Sequence, residues 1–319
     1  MTKQGPETYR IHGLTVRSAI PLPAPIVSGA HCDVVVRRSA AAPIPPEQPP
    51  GRLLAGVGNP DGAGYTLVRG AAAYLLRIHG LADFRISPAL TVIDVVTSPH
   101  LAAGMVPLLL AGNVLATLLT LAGEQVLHAS AVALDGRGLG FVGHSGSGKS
   151  TLAALFCAAT ATLIADDTLR LIPGEHDVSC AFGGAHIRLR PGAADLARSI
   201  PDARTEATAD GRVSVHVPHA PVATCPLHAL LVPERSAGIE SLRLTRLQGT
   251  DAVFALMRLG RIGGWRDSGI LRGRLEGLGR VTRTLPVYRA EIPWGPAFSS
   301  DVTRRIVAAV GLAGERMPA

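Results

Sequence analysis

The sequence has little lysine and few aromatic residues, and these shortages argue against a nucleic-acid-binding protein. Of the 31 basic residues among 319, only Lys3 and Lys149 are lysines, and aromatic residues make up 4%. The formal net charge is +7. The arginines are scattered, however, and no basic stripe carries interleaved aromatic residues that could stack on bases. We therefore expect no nucleic-acid partner.

Cysteine is also scarce. The four cysteines are Cys32, Cys157, Cys180 and Cys225, and no two of them have C-x-x-C spacing. This pattern makes a zinc site or a disulfide framework unexpected and favours a reducing compartment. The polar segment Met1–Arg10 lacks the apolar core of a signal peptide. These features predict a cytoplasmic protein.

One segment, Leu101–Gly123, has no charged residue and is long enough to span a bilayer. It contains Pro107 and Asn113, and it lacks flanking lysine or arginine and an aromatic belt. We expect a buried helix over Leu101–Leu121 and no membrane partner.

The rest of the chain divides by pattern. Residues 1–98 predict a smaller β-rich domain for substrate recognition or packing, and residues 99–319 predict a second domain with its core at 124–190. The second domain contains the order strand, loop, helix, strand that a phosphate site needs. Further strands follow, together with a mobile polar loop over Ala203–Arg212 and helices over Thr250–Leu259 and Asp301–Leu312.

The strongest motif is a glycine-rich loop. Residues 143–150 match G-x-x-x-x-G-K-[ST] in full. The glycines let backbone N–H groups face phosphates, Lys149 is expected to reach the β- and γ-phosphates, and the Ser150 hydroxyl is expected to bind Mg²⁺. The predicted nucleotide-binding residues are Gly143, His144, Ser145, Gly146, Ser147, Gly148, Lys149, Ser150 and Thr151.

Two acidic residues and one histidine complete the candidate site. Asp166 and Asp167 end the apolar strand Thr162–Ala165, where one carboxylate can hold Mg²⁺ and the other can accept a proton. His128 lies in a predicted strand, Val126–Leu134, beside the strand that leads into the loop. A lone histidine on an apolar strand is more often a core residue than a catalyst. Because this strand pairs with the one that leads into the loop, His128 is as readily a site residue as a core residue.

These residues together resemble the HPr kinase/phosphorylase superfamily. The resemblance rests on His128-Ala-Ser, Asp135-Gly-Arg-Gly, the loop and Leu163-Ile-Ala-Asp-Asp167, and it covers about 124–190. ATP-dependent phosphoenolpyruvate carboxykinase has a related loop and Asp-Asp arrangement. The resemblance implies an α/β P-loop kinase fold built on a β-rich core. It also implies that Asp166 is the base, that Asp167 and Ser150 hold the metal, and that His128 and Lys149 assist catalysis.

The chain also departs from true HPr kinases. Gly183–Arg190 replaces their glutamate-containing stretch, which argues against phosphorylase activity and against HPr as the substrate. The segment Tyr9–Pro23 resembles an HPr-kinase-like branch associated with lasso-peptide biosynthesis, some of whose members phosphorylate the C-terminal serine of a precursor peptide. HPr kinases assemble into oligomers, so a homo-oligomer is possible by resemblance.

Arginines form a third group of candidates. Seven of them lie in a basic cluster, and their planar forks suit phosphate and carboxylate oxygens, although a solvated face explains any single one. The cluster comprises Arg258, Arg261, Arg266, Arg272, Arg274, Arg280 and Arg283. Arg188 and Arg190 are further candidates. The sequence does not distinguish among them.

The sequence therefore predicts an ATP- and Mg²⁺-dependent kinase whose acceptor is a serine on a peptide or small protein. An HPr serine kinase/phosphorylase, a kinase for a small hydroxyl compound and a non-enzymatic nucleotide-binding scaffold remain as alternatives.

Overall fold

A computed structural model describes residues 5–29, 31–58, 64–217, 219, 223–236, 239–293 and 301–312. The fold is mixed α/β with several sheets. The chain forms two compact units, residues 1–124 with 262–274 and residues 125–261 with 275–319. The apolar helix of 105–121 thus groups with the first unit, whereas the sequence placed a boundary at 98/99. The division into a recognition domain and a kinase domain stays a prediction.

The first unit is built on one sheet. Its strands are β1 (Glu7–Ile11), β2 (Leu14–Ser18), β3 (Val34–Arg38), β4 (Arg52–Gly58), β5 (Gly64–Arg69), β6 (Tyr74–Ile78), β7 (Ala82–Ile86) and β8 (Val92–Thr97). In the described residues they pair in the order β1-β2-β3-β8-β7-β6-β5-β4. The β1–β2 hairpin turns at His12 and Gly13, with φ of 52° and 75°, as a tight two-residue turn requires. All of these strands lie within residues 1–98, for which the sequence predicts a smaller β-rich domain.

The uncharged segment of the first unit is helical but interrupted. An α-helix, α1 (Met105–Leu109), continues through a π-helical turn at Leu110–Val114 into α2 (Leu115–Leu121). The helix starts at Met105, later than predicted. Among the described residues, no helix is both long enough and apolar enough to cross a membrane.

The second unit contains the remaining elements. Its strands are β9 (Gln125–Leu127), β10 (Ala129–Leu134), β11 (Arg137–Val142), β12 (Thr162–Ala165), β13 (Leu169–Pro173), β14 (Val178–Ala181), β15 (His186–Leu189), β16 (Arg204–Ala207), β17 (Val213–His216), β18 (Thr224–Ser236), β19 (Arg243–Leu247) and β20 (Val287–Pro293). Its helices are α3 (Lys149–Ala158), a 3-10 helix (Pro191–Ser199), α4 (Gly249–Arg258) and α6 (Asp301–Ala309). A further helix, α5 (Ser268–Thr284), contributes its residues after Arg274 to this unit.

Strand β11 lies at the centre of the larger sheet, between antiparallel β10 and parallel β18. Alternate side chains of a strand face opposite sides of the sheet. Leu139 and Phe141 therefore pack in a core with residues of α3 and α6, while Val142 packs in another with residues of α4 and α5. The glycine-rich loop thus leaves a strand that is buried on both faces.

Three predictions about local structure need correction. The strand predicted at Val126–Leu134 is two strands that part at His128. The segment predicted as a mobile loop, Ala203–Arg212, contains β16, which pairs with β17 in a small sheet of order β15-β17-β16. The region of the basic cluster holds α5, a helix that the sequence did not predict.

Candidate active site

The glycine-rich loop connects β11 to α3. Gly146 and Gly148 have φ of 88° and 99°, a region that side-chain-bearing residues rarely adopt. Gly148 precedes the first helical residue, Lys149, and no side chain among the described residues caps this helix end. The first N–H groups of α3 therefore lack a side-chain partner, and they can bind an anion.

Lys149 is buried beneath the loop, with 5% of its surface exposed. Its ammonium donates a hydrogen bond to the His144 carbonyl oxygen at 2.8 Å. Burial lowers the pKa of Lys149 to about 8, and the nearby charges of Asp166 and Asp167 only partly oppose this effect. A buried ammonium of this kind is stabilised by any anion that enters the site.

Asp166 follows β12 and accepts three hydrogen bonds. Oδ1 accepts from the Ser130 hydroxyl at 2.5 Å and from the Ser150 hydroxyl at 2.8 Å. Oδ2 accepts from the Arg188 backbone N–H at 2.8 Å. These bonds connect the end of β12 to the loop, to β10 and to β15, and they fix the carboxylate beside the start of α3.

Asp167, the next residue, pairs with His128 and Arg261. Its backbone has a φ of 73°. Oδ1 lies 3.2 Å from His128 Nε2, and Oδ2 accepts a hydrogen bond from Arg261 Nη2 at 2.8 Å. Burial alone would raise the pKa of Asp167, but Arg261 and His128 outweigh it and hold that pKa well below its ordinary value.

His128 lies at the break between β9 and β10. Its backbone N–H donates to Leu259 O at 2.9 Å, and its carbonyl oxygen accepts from Gly143 N–H at 3.1 Å. Gly143, the first residue of the loop, is therefore hydrogen-bonded to His128, whose ring contacts Asp167. Burial lowers the pKa of His128 despite its contact with Asp167, so the ring is neutral at neutral pH.

The loop borders a cavity of about 300 Å³. From the loop and α3 come Ser145, Gly146, Gly148, Lys149, Ser150 and Thr151. Four arginines also line the cavity, namely Arg188, Arg190, Arg212 and Arg235, and no carboxylate is among the described lining residues. A concave surface of this composition suits a polyanion.

Asp210, in the turn between β16 and β17, holds two of these arginines. It forms ion pairs with Arg188 and, at 3.4 Å, with Arg212. The Thr208 hydroxyl donates to Asp210 Oδ1 at 2.5 Å and so fixes the carboxylate. Burial raises the pKa of Asp210, but the Thr208 hydrogen bond and the two arginines outweigh burial, so the pKa lies below its ordinary value.

The structure brings most of the predicted site residues together. Asp166 contacts Ser150, and His128 contacts Asp167. Ser150 and Asp167, predicted as the metal pair, are not joined by a hydrogen bond in the described part of the chain. The roles of the two carboxylates stay predictions. Within the basic cluster, Arg261 contacts a predicted site residue, Asp167.

Sequence reasoning missed Asp210, Arg212 and Arg235. Arg212 and Arg235 line the cavity, and Asp210 pairs with Arg188 and Arg212. The pairing of β15, β16 and β17 and the end of β18 bring them there, long after the loop in the chain. No local motif marks them. The available signal was the stretch Gly183–Arg190, because a segment that follows Asp166 and carries Arg188 and Arg190 is placed to return to the loop.

The chain is similar to the Hpr(Ser) kinase/phosphatase from Coxiella burnetii, at 14% identity, over 59% of this chain and 91% of that one, with a TM-score of 0.32. No family model matches the sequence. No curated protein matches it either.

Proposed function

We propose that this protein binds ATP on residues 143–150 and transfers the γ-phosphoryl group to a serine hydroxyl of a peptide or small protein. The observation that carries the proposal is the cavity in which Lys149 and four arginines face a glycine-rich loop, with no carboxylate among the lining residues that the structure describes. The full motif match supports phosphate as the anion, because its spacing is that of a phosphate-binding loop.

The residues also fit Mg²⁺. Within the described residues, no group of three or more histidine, cysteine or acidic side chains could hold a metal. Mg²⁺ in kinases needs fewer protein ligands, because it is held by one or two carboxylates together with substrate phosphates and water. The oxygens of Ser150 and Asp166, 2.8 Å apart, offer such a pair. The metal would neutralise phosphate charge when bound.

The hydrogen bonds favour a division of roles between the carboxylates opposite to the one inferred from resemblance. Asp166 Oδ1 accepts a hydrogen bond from the Ser150 hydroxyl, which supports a metal-side role for Asp166. Asp167 contacts His128, a neutral imidazole that can help to carry a proton. We propose that Asp166 with Ser150 holds the metal and that Asp167 with His128 accepts the proton. The reverse assignment, with Asp166 as base, is the alternative that the experiments below distinguish.

In the transfer step, Asp167 accepts the proton of the serine hydroxyl as the serine oxygen bonds to the γ-phosphorus. The bond from that phosphorus to the bridging oxygen breaks, and ADP leaves with the electron pair. The low pKa of Asp167 keeps it ionised at neutral pH. A weak base suffices, because phosphoryl transfer through a loose transition state depends mainly on positioning and charge stabilisation. Lys149 stabilises the β- and γ-phosphate oxygens.

The acceptor is proposed from the resemblance of the sequence. A peptide serine, including the C-terminal serine of a lasso precursor peptide, is the first candidate, and HPr and small hydroxyl compounds are the others. A cytoplasmic location and a homo-oligomer belong to the same proposal.

A panel assay tests the function. The purified chain is incubated with Mg-ATP and serine peptides, HPr or small alcohols, and ADP release is measured against the Lys149→Ala variant. Release that requires both an acceptor and Lys149 supports the kinase. An acceptor-independent rate that Lys149→Ala leaves unchanged contradicts it.

A further inference from the structure

Among the arginines that line the cavity, Arg190 has a different partner from Arg188 and Arg212. Arg188 and Arg212 form ion pairs with Asp210. Arg190 Nη2 donates to the neutral Ser145 hydroxyl at 3.1 Å, and no carboxylate in the described part of the chain forms an ion pair with it. Arg190 therefore keeps its full positive charge available for an incoming anion.

The guanidinium of Arg190 lies over the middle of the loop. A Cβ built on Gly146 would stand 3.6 to 3.8 Å from the guanidinium atoms of Arg190. Lys149 lines the same cavity from the start of α3. The two cations thus border one cavity at different points of the same loop.

The backbone on both sides of Arg190 is fixed. Arg188 N–H donates to Asp166, and Leu189 is 1% exposed. Arg190 O accepts from Ala193 N–H at 2.9 Å, and Pro191 restricts the chain that follows. The side chain therefore starts from a fixed position relative to Asp166, the proposed metal-side carboxylate, as a preorganised catalytic group requires.

We propose that Arg190 is a catalytic arginine supplied in cis, whose guanidinium contacts the transferring phosphoryl group. This inference rests on the proposed function and names the arginine that the sequence could not identify. Charge spreads over the three equatorial oxygens of the phosphoryl group as the serine oxygen bonds to phosphorus and ADP leaves. A planar fork matches two of those oxygens, whereas lysine offers a point charge. An arginine in this role accelerates transfer by about 10³- to 10⁵-fold.

The test compares a ground-state ligand with a mimic of the transferring group. Dissociation constants for Mg-ADP are measured by calorimetry on the full chain, with and without aluminium fluoride. We expect aluminium fluoride to tighten binding at least about 100-fold in the wild type, as transition-state analogues do. Arg190→Ala should keep ADP affinity within about threefold but lose the tightening, and Arg190→Lys should regain part of it.

Arg198→Ala is the matched control. Arg198 is an exposed arginine of the adjacent 3-10 helix and pairs with Asp195. Its removal should leave both constants unchanged. Equal urea midpoints for all variants establish that they fold alike, and Arg190→Gln replaces Arg190→Ala if that variant is unstable.

The outcomes separate the inference from the function on which it rests. Full tightening by aluminium fluoride in Arg190→Ala overturns the catalytic role. Equal losses of ADP and ADP–aluminium fluoride affinity also overturn it, because Arg190 would then be a general phosphate ligand. A wild type that binds no nucleotide overturns the proposed function itself.

Discussion

The Ser150 hydroxyl donates a hydrogen bond to Asp166, at 2.8 Å, and not to the adjacent Asp167. Asp167 instead lies between His128 and Arg261. Two neighbouring carboxylates at the end of one strand therefore have separate surroundings. Such a separation is typical of sites in which one acidic residue serves a metal and the other serves a proton.

This relationship makes the two carboxylates distinguishable by their effect on Mg²⁺. Mg²⁺ tightens ATP binding in the wild type, and this tightening should be at least about tenfold smaller in Asp166→Asn, because that variant lacks a metal-side carboxylate. Asp167→Asn should leave that tightening intact while lowering the transfer rate by about 10²- to 10⁴-fold, the usual contribution of a general base. Calorimetric titrations of ATP with and without Mg²⁺ measure the first effect. The opposite pattern would restore Asp166 as the base.

The low pKa of Lys149 predicts that ATP binding takes up a proton. With a pKa of about 8, the free protein loses this charge as the pH rises above 8. Bound phosphates raise the pKa again, since an opposite charge favours the ammonium. ATP affinity should therefore fall above pH 8, by up to about tenfold per pH unit. Calorimetry in buffers of different ionisation enthalpy measures the uptake at pH 9. An unchanged affinity between pH 8 and pH 9.5 would contradict the prediction, and Lys149→Met should show no uptake.

Protonation of His128 should make stability fall as the pH is lowered. Burial keeps the folded-state pKa of His128 below the ordinary value, although the neighbouring Asp167 raises it and Lys149 and Arg261 oppose that rise. Below pH 6.5 the unfolded chain therefore binds a proton that the folded chain resists, so unfolding becomes easier. Urea midpoints between pH 7.5 and pH 5.5 should fall less steeply in His128→Asn than in the wild type. His176→Asn is the control, because His176 is exposed. An equal fall of the urea midpoint with pH in His128→Asn and in the wild type would contradict a buried, neutral His128 ring.

The helix behind the loop is held by an aromatic pair. Phe141 of β11 and Phe156 of α3 are fully buried with ring centroids 5.3 Å apart. Phe156→Ala should lower the free energy of unfolding by about 3–5 kcal/mol, because it leaves a cavity in the core. Chemical denaturation measures the loss. Phe254→Ala is the matched control, since Phe254 is 56% exposed and its removal should change stability by less than about 0.5 kcal/mol. Equal effects of the two substitutions would mean that α3 does not depend on this contact.

The part of the site that is local in sequence could be predicted. The motif, the strand before it and the apolar strand ending at Asp166 specify their own geometry, because each has the composition of a buried strand or a phosphate loop. The break at His128 was not predictable, since Val126–Leu134 reads as one apolar strand and the break depends on a bond to Leu259.

Elements held by distant contacts were missed. Strand β16 is exposed at all four positions and so shows no apolar alternation, although it completes the sheet that carries Asp210 and Arg188. Helix α5 contains several glycines, which are poor helix formers. It is held by burial of Leu278 and Val281. A Cβ at Gly277 would lie 2.2 Å from Gln125 Nε2, so a larger residue there would displace the buried Gln125 side chain.

Transfer of phosphate to a peptide tests the central claim most directly. The chain is incubated with Mg-ATP and a peptide ending in serine, and the mass of the peptide is measured by mass spectrometry. Lys149→Ala is the inactive control and Arg198→Ala the active control. The account predicts a gain of one phosphate, about 80 Da, on the serine with wild type and Arg198→Ala but not with Lys149→Ala. A peptide, HPr and small-alcohol panel that stays unmodified while Mg-ATP is bound would contradict the kinase and leave a nucleotide-binding scaffold.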